Sequence, residues 1–221
     1  MKKIAILVSA AIIALSCSNG TKADEAITGE AQEVEVITEA TDYELVEGSY
    51  LKWRGFKSFV DWDHLGTIGV QSGTFAVSEG QLVGGSITID MNSIAVVSIK
   101  DEGKRGYLEG HLKSQDFFLV DTFPTAVFEI IEVREEATDE ASSVVVGNLT
   151  IRGITNSIEF PANVTVEAGT VQFTAPTFTI DRTKWNVKYH DSEDATIAET
   201  LKEELIDHSI ELTINVLATN A

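Results

Sequence analysis

Four histidines (His64, His111, His190 and His208) and a single cysteine, Cys17, are the residues of this chain best suited to chemistry. Two clusters set histidine beside carboxylates: Asp61-Trp62-Asp63-His64 and His190-Asp191-Ser192-Glu193. Mixed nitrogen and oxygen donors of this kind can hold a divalent metal and support metal-assisted hydrolysis. The four histidines nevertheless fall in four separate segments, and no two share the helical spacing of a zinc protease site. The nucleophile elbow, the phosphate-binding P-loop and the dinucleotide fingerprint are all missing. Both clusters read more simply as solvated loop residues. No catalytic residue, metal ligand or cofactor is assigned, and the chain is expected not to be an enzyme. A metal-assisted enzyme using Asp63, His64 or His190 is the alternative.

The cysteine is informative through its position. Met1-Lys2-Lys3 is a short positive start, and Ile4 to Leu15 is a twelve-residue apolar run. That run is too short for a helix spanning about 30 Å of hydrocarbon, which takes roughly 20 residues. A charged start, a short apolar stretch and small residues before a cleavage site read as a secretory signal peptide. The segment ends Ala14-Leu15-Ser16-Cys17, which resembles the lipobox of bacterial lipoproteins. That resemblance implies cleavage after residue 16 and acylation of Cys17. A lone cysteine makes no internal disulfide.

The chain of 221 residues carries 35 acidic against 16 basic side chains, a net charge of −19. Nucleic acid binding needs a basic face to displace counterions, so that class of partner is excluded. Without residues 1–16 the balance is 14 − 35 = −21. An anionic bilayer would repel such a body, and several acyl chains would hold it, at about 0.8 kcal/mol per buried methylene. The expected location is the cell envelope, lipid-anchored at the outer membrane and facing the periplasm or the cell surface.

Residues 18–42 carry seven acids, one base and no aromatic side chain, which predicts a flexible acidic stalk. Every Trp, Tyr and Phe lies from Tyr43 onward, so the folded body is expected over residues 43–221. There the dominant period is two. Ile87, Ile89 and Met91 alternate with polar residues, as do His208, Ile210, Leu212, Ile214 and Val216. Glycine-marked turns separate these runs, which argues for an antiparallel barrel or sandwich. Two stretches carry helical spacing instead: residues 104–118, with Leu108 and Leu112, and residues 193–206, with Ile197, Leu201 and Leu205.

A series of motifs then appears in order: His64-Leu65-Gly66 with Gly73-Thr74-Phe75, Ile89-Asp90-Met91-Asn92-Ser93-Ile94, and Leu112-Lys113-Ser114-Gln115-Asp116-Phe117-Phe118. Phe123-Pro124 through Phe128, Gly147-Asn148-Leu149-Thr150 through Gly153, and Ile180-Asp181-Arg182 through Trp185-Asn186-Val187 complete it. Over roughly residues 45–219 the chain resembles the YceI-like family of polyisoprenoid-binding, lipocalin-like proteins. The resemblance implies a mainly β fold: an antiparallel lipocalin-like β-barrel of about eight strands, here with two short helical insertions. It also implies an apolar interior that holds an isoprenoid, such as a polyprenyl phosphate or a prenylated quinone. After Trp185, the segment Tyr189-His190-Asp191-Ser192-Glu193 departs from the Gly/Ser-rich loop common in the family.

The expected interior is Trp53, Phe75, Ile87, Ile89, Met91, Leu112, Phe117, Phe118, Phe128, Ile130, Leu149, Phe173, Ile210, Leu212 and Ile214. Periodicity does not distinguish a lined cavity from a core that fills itself, so the cavity is implied by the family alone. Head-group contacts are expected at His64, Arg182 and Trp185. Arg182 has a second reading, as half of an ion pair with Asp181 that fixes the loop to Trp185. The chain is thus read as a membrane-tethered carrier or scavenger of an isoprenoid lipid. A structural or stress-related envelope lipoprotein with a filled barrel is the alternative.

Overall fold

Tight turns set the register of the long strands. Glu79-Gly80 and Arg152-Gly153 both take positive φ at two successive residues, the backbone of a two-residue hairpin whose twist matches its strands. The computed structural model describes residues 23–35, 37, 39–138, 140–191 and 201–220. Its elements are β1 (Asp24–Glu25), β2 (Ile27–Glu30), β3 (Thr41–Leu45), β4 (Tyr50–Lys57), β5 (Asp63–Ser78), β6 (Gln81–Asp90) and β7 (Ala95–Val96). Then come α1 (Glu102–Lys113), β8 (Thr125–Arg134), β9 (Ser143–Ile151), β10 (Ile154–Glu167), β11 (Thr170–Asp181) and β12 (Ile206–Thr219).

Strands β4, β5, β6, β8, β9, β10, β11 and β12 each pair antiparallel with the next, and β12 pairs with β4. This closes an eight-stranded antiparallel barrel. Closure leaves little free sheet edge and gives every strand one inward and one outward face. In β12, Ile214, Val216 and Ala218 are buried while Asn215 and Leu217 are exposed, as the period of two predicts. Gly84 and Gly85 face Ala76 and Phe75 beside a bulge at Val83, where the register shifts before Val77 meets Leu82, and Gly85 has φ 138.

One end of the barrel is crossed by α1. Asp101 caps the helix by accepting from the Lys104 amide at 2.9 Å, and Glu109 accepts from the Val96 amide at 2.8 Å, which ties the helix to β7. The expected helix near residue 104 is therefore present. Much of the second, over 193–206, falls outside the described residues. Its described end is a 3-10 turn at Lys202–Glu204 followed directly by β12, so Leu205 and Ile206 leave the helical path.

The stalk expectation changes for residues 24–30. The antiparallel pairing of β10 with β11 runs only from Asn163/Thr174 to Glu167/Thr170. Beyond it the two strands part, and the N-terminal segment fills the gap: β1 pairs parallel with β11 at Phe178 and Thr179, and β2 antiparallel with β10 over Asn156–Glu159. Ala26, between them, is 4% exposed and joins the core. Backbone hydrogen bonding to a free strand edge asks little of side chains, so an acidic segment without aromatics serves. The expected signal peptide, residues 1–16, and Cys17 lie outside the described residues.

Candidate functional site: a cavity and the groove above it

Within the α1 half of the barrel lies a cavity of about 120 Å³ whose lining is apolar apart from Arg182, Asp207 and Ser209. Strands supply Leu51, Trp53, Ile68, Ile89, Leu149, Ile151, Ile180, Ile210 and Leu212, and the end of α1 with the turn after it supplies Leu112, Phe117 and Phe118. Met91, Arg182 and Trp185 come from the 3-10 turns that follow β6 and β11. Nine of the fifteen expected interior positions therefore border it: Trp53, Ile89, Met91, Leu112, Phe117, Phe118, Leu149, Ile210 and Leu212.

Phe75, Ile87, Phe128 and Phe173 are buried but do not border the cavity. They sit lower in the barrel, where aromatic rings fill the bore. Phe160 stacks on Phe178 with centroids 4.4 Å apart, and Phe128–Phe160 and Phe75–Phe173 lie at 5.6 and 5.7 Å. Ile130 and Ile214 are likewise buried in the core rather than at the cavity. The period of two reports which face is inward but not the level along the barrel axis, which is why these six were grouped with the others. Phe160 and Phe178 were missed because Pro161 and Pro176 interrupt the alternation around them.

Above the cavity, between α1 and the segments around residues 53–64, 189–190 and 204–206, is an open groove of about 440 Å³. Trp53, Gly55, Leu112, Phe117 and Ile206 border both spaces and form the wall between them. Lys57, Trp62, His64, Lys104, Tyr107, Tyr189 and His190 line the groove side. The three exposed large aromatic side chains among the described residues, Phe59, Trp62 and Tyr107, all stand at this end. Lys57 lies over the Trp62 ring at 4.8 Å and Lys202 over Phe59 at 4.6 Å.

The expected head-group residues separate. His64 faces the groove, with Nδ1 3.2 Å from Ser98 Oγ, and its burial pushes its pKa below the usual histidine range. Arg182 is 2% exposed, and its Nε, Nη1 and Nη2 donate to the carbonyls of Asp207, Val187 and Ile206 at 2.9, 2.6 and 3.0 Å. The expected ion pair is replaced by this clip: Asp181 instead accepts from the Thr183 amide and hydroxyl. Burial lowers the Arg182 pKa, against the pull of Asp191, Asp181 and Asp207. Trp185 is fully buried and donates from Nε1 to the Leu149 carbonyl at 2.9 Å. Both side chains thus fasten the loop that floors the groove.

The remaining histidines have structural partners. His111 contacts Asp116 at 3.1 Å and meets Phe117 and Tyr189 edge-on, His190 contacts the Glu204 carbonyl, and His208 pairs with Asp191. Asp63 is engaged by Arg54 at 2.6 Å. Among the described residues, no three His, Cys, Asp or Glu side chains converge as a metal site would require.

Among proteins with curated functions, none matches the chain in sequence. Several solved structures share its fold. A polyisoprenoid-binding domain from Saccharophagus degradans, implicated in plant cell wall breakdown, superposes with a TM-score of 0.55 at 16% identity, over 81% of this chain and 98% of that one. BcnA of Burkholderia cenocepacia gives 0.53 at 18% identity, over 77% and 96%. The model of the YceI-like domain matches residues 33–218, which begins upstream of the expected body and takes in both the barrel and the α1 crossing. With most of its length accounted for by that match, the chain belongs to the YceI-like family.

Proposed function

We propose that this protein is a membrane-tethered, extracytoplasmic lipid-binding protein that sequesters or carries an isoprenoid in its barrel. The observation that carries the reading is the apolar cavity joined through one shared wall to an open groove. The name of the Saccharophagus relative, a polyisoprenoid-binding domain, supports the ligand class. Binding of this kind needs no catalytic group: burying ten methylenes contributes roughly 8 kcal/mol before ordering costs.

The cavity sets a condition on the reading. An engineered cavity of about 150 Å³ is known to hold a benzene molecule. The present volume of about 120 Å³ thus has room for a fragment near the size of one isoprene unit. A longer chain enters only as the wall moves, and Met91, Leu112, Phe117 and Phe118 are the side chains placed to yield. Met is the most adaptable of these. The same narrowness favours a second reading, an envelope protein whose barrel fills itself.

The test is to purify the full chain from native membranes, extract it with organic solvent and identify the extract by mass spectrometry. A stoichiometric isoprenoid is expected. Protein that is always empty, and whose melting temperature is unmoved by added quinone or polyprenyl phosphate, selects the second reading. Lipid anchoring rests on the sequence Ala14-Leu15-Ser16-Cys17. Cys17→Ser is expected to abolish incorporation of radiolabelled palmitate into the protein, and undiminished labelling of that variant would refute the anchor.

A further inference from the structure

Trp53 carries the one buried side-chain nitrogen or oxygen, among the described residues, that has no hydrogen-bond partner. The residue is 9% exposed, lies on β4, and stands in the wall shared by cavity and groove. A buried indole N–H ordinarily finds an acceptor, and leaving it without one costs free energy. Trp185, on the same cavity, shows the ordinary outcome, since its N–H is taken up by the Leu149 carbonyl at 2.9 Å.

A bridging water needs two to four polar partners. The polar residues bordering the cavity are Arg182, Asp207 and Ser209; the Arg182 guanidinium already serves three main-chain carbonyls, and the Asp207 carboxylate accepts from Ser58 and the Ser209 amide. The ring is not free to turn toward another acceptor, because it is seated on Gly66, with Cε2 and Cζ2 2.4 Å from where a Cβ would stand. The indole is thus fixed in place within the wall that Trp53 shares with Leu112, Phe117 and Ile206.

We propose that Trp53 Nε1 is a specificity-determining donor: when the shared wall opens, it hydrogen-bonds a neutral oxygen at the head of the isoprenoid. The inference rests on the lipid-binding reading and narrows its ligand. The only cation bordering the cavity is Arg182, and all three of its nitrogens already serve main-chain carbonyls. A phosphate drawn to Trp53 would be buried without a counter-charge, which is costly. A quinone carbonyl or a prenol hydroxyl carries no such penalty. A phosphate head stays outside, in the groove that Lys57 and Lys104 line.

The experiment uses the purified full chain and four probes of similar length: a triprenyl benzoquinone, farnesol, farnesyl phosphate and the hydrocarbon farnesene. Trp53→Phe is expected to weaken quinone and farnesol binding about tenfold, equivalent to about 1.4 kcal/mol, with farnesene and farnesyl phosphate changed less than about twofold. Should that variant fail to fold, nitrogen-15 NMR of the wild-type protein decides. Its three indoles occupy three settings, with Trp62 exposed, Trp185 bonded and Trp53 without a partner. The Trp53 N–H resonance is expected to move downfield with the quinone and farnesol alone. Equal weakening of all four probes by Trp53→Phe overturns the proposal, as does a Trp53 resonance that responds alike to farnesene and quinone or only to farnesyl phosphate. Failure of all four to bind wild-type protein overturns the lipid-binding reading itself.

Discussion

The indole of Trp53 occupies the space that a side chain at Gly66 would need. The two residues face each other across β4 and β5, and a Cβ on Gly66 would fall 2.4 Å from the ring and 2.0 Å from the Ala95 carbonyl oxygen. Backbone cannot retreat as a flexible side chain can, so Gly66→Ala must tilt the indole or part β5 from β7. A loss of roughly 1–3 kcal/mol is expected, the usual range for overpacking. Gly110→Ala is the matched control: a Cβ there meets nothing within 4 Å, and the residue lies inside α1. It should gain up to about 1 kcal/mol from helix propensity alone. Urea unfolding of both variants compares the two signs directly.

Arg182 closes the groove floor by holding carbonyls of β12 and of the loop before it. Arg182→Ala leaves those carbonyls buried without donors and is expected to cost about 3 kcal/mol or more, since each such group costs roughly 1–3 kcal/mol. Arg182→Lys recovers only part of this, because an ammonium lacks the planar fork. Chemical denaturation of the three proteins gives the order wild type, Lys, Ala. Full rescue by Lys would show that charge rather than donor geometry holds the loop.

Phe160 is 2% exposed and stacks on Phe178 in the filled lower bore. Phe160→Ala is expected to destabilise by roughly 3–5 kcal/mol and to leave a void beneath the existing cavity. If the two spaces then join, a longer isoprenoid should raise the melting temperature of the variant more than a short one does. Thermal shifts with prenols of graded length measure this, and indifference to length would mean that the bore recloses.

The neutral form of His64 is favoured in the folded state because burial lowers its pKa from 6.5, outweighing the opposite pull of Asp63. The unfolded chain therefore takes up this proton at a higher pH than the folded one. The stabilisation is complete above about pH 6.5, falls as the solution is acidified below it, and is gone below the folded value. His64→Gln should flatten that part of the stability–pH curve and leave the curve above pH 7 unchanged. Urea midpoints collected between pH 5 and 8 are the check, and an identical slope in both proteins would assign the proton elsewhere.

Face was easier to read from the sequence than height. Ile210, Leu212, Ile214 and Val216 announce an inward row on β12, yet nothing in their spacing says that Leu212 borders the cavity while Ile214 packs in the core away from it. The crossing by α1 was legible because Leu108 and Leu112 break the strand period, and Phe117 and Phe118 follow directly. The Arg182 clip was not, since its partners are main-chain carbonyls from residues 187, 206 and 207, which carry no side-chain signature. The same holds for β1 and β2: they bind by backbone, and composition alone placed them outside the fold.

Those two short strands also fix how far the barrel can stray. A stalk running from Cys17 to Tyr43 would span up to about 90 Å when extended, at roughly 3.5 Å per residue, long enough to sweep a wide volume above a bilayer. With Asp24 stitched to Phe178, only seven steps of chain separate the proposed acyl anchor from the barrel wall. Fully drawn out, seven steps reach about 25 Å. The leash is shorter than the hydrocarbon layer is thick, about 30 Å, so an anchored barrel stays beside the surface from which an insoluble ligand would come.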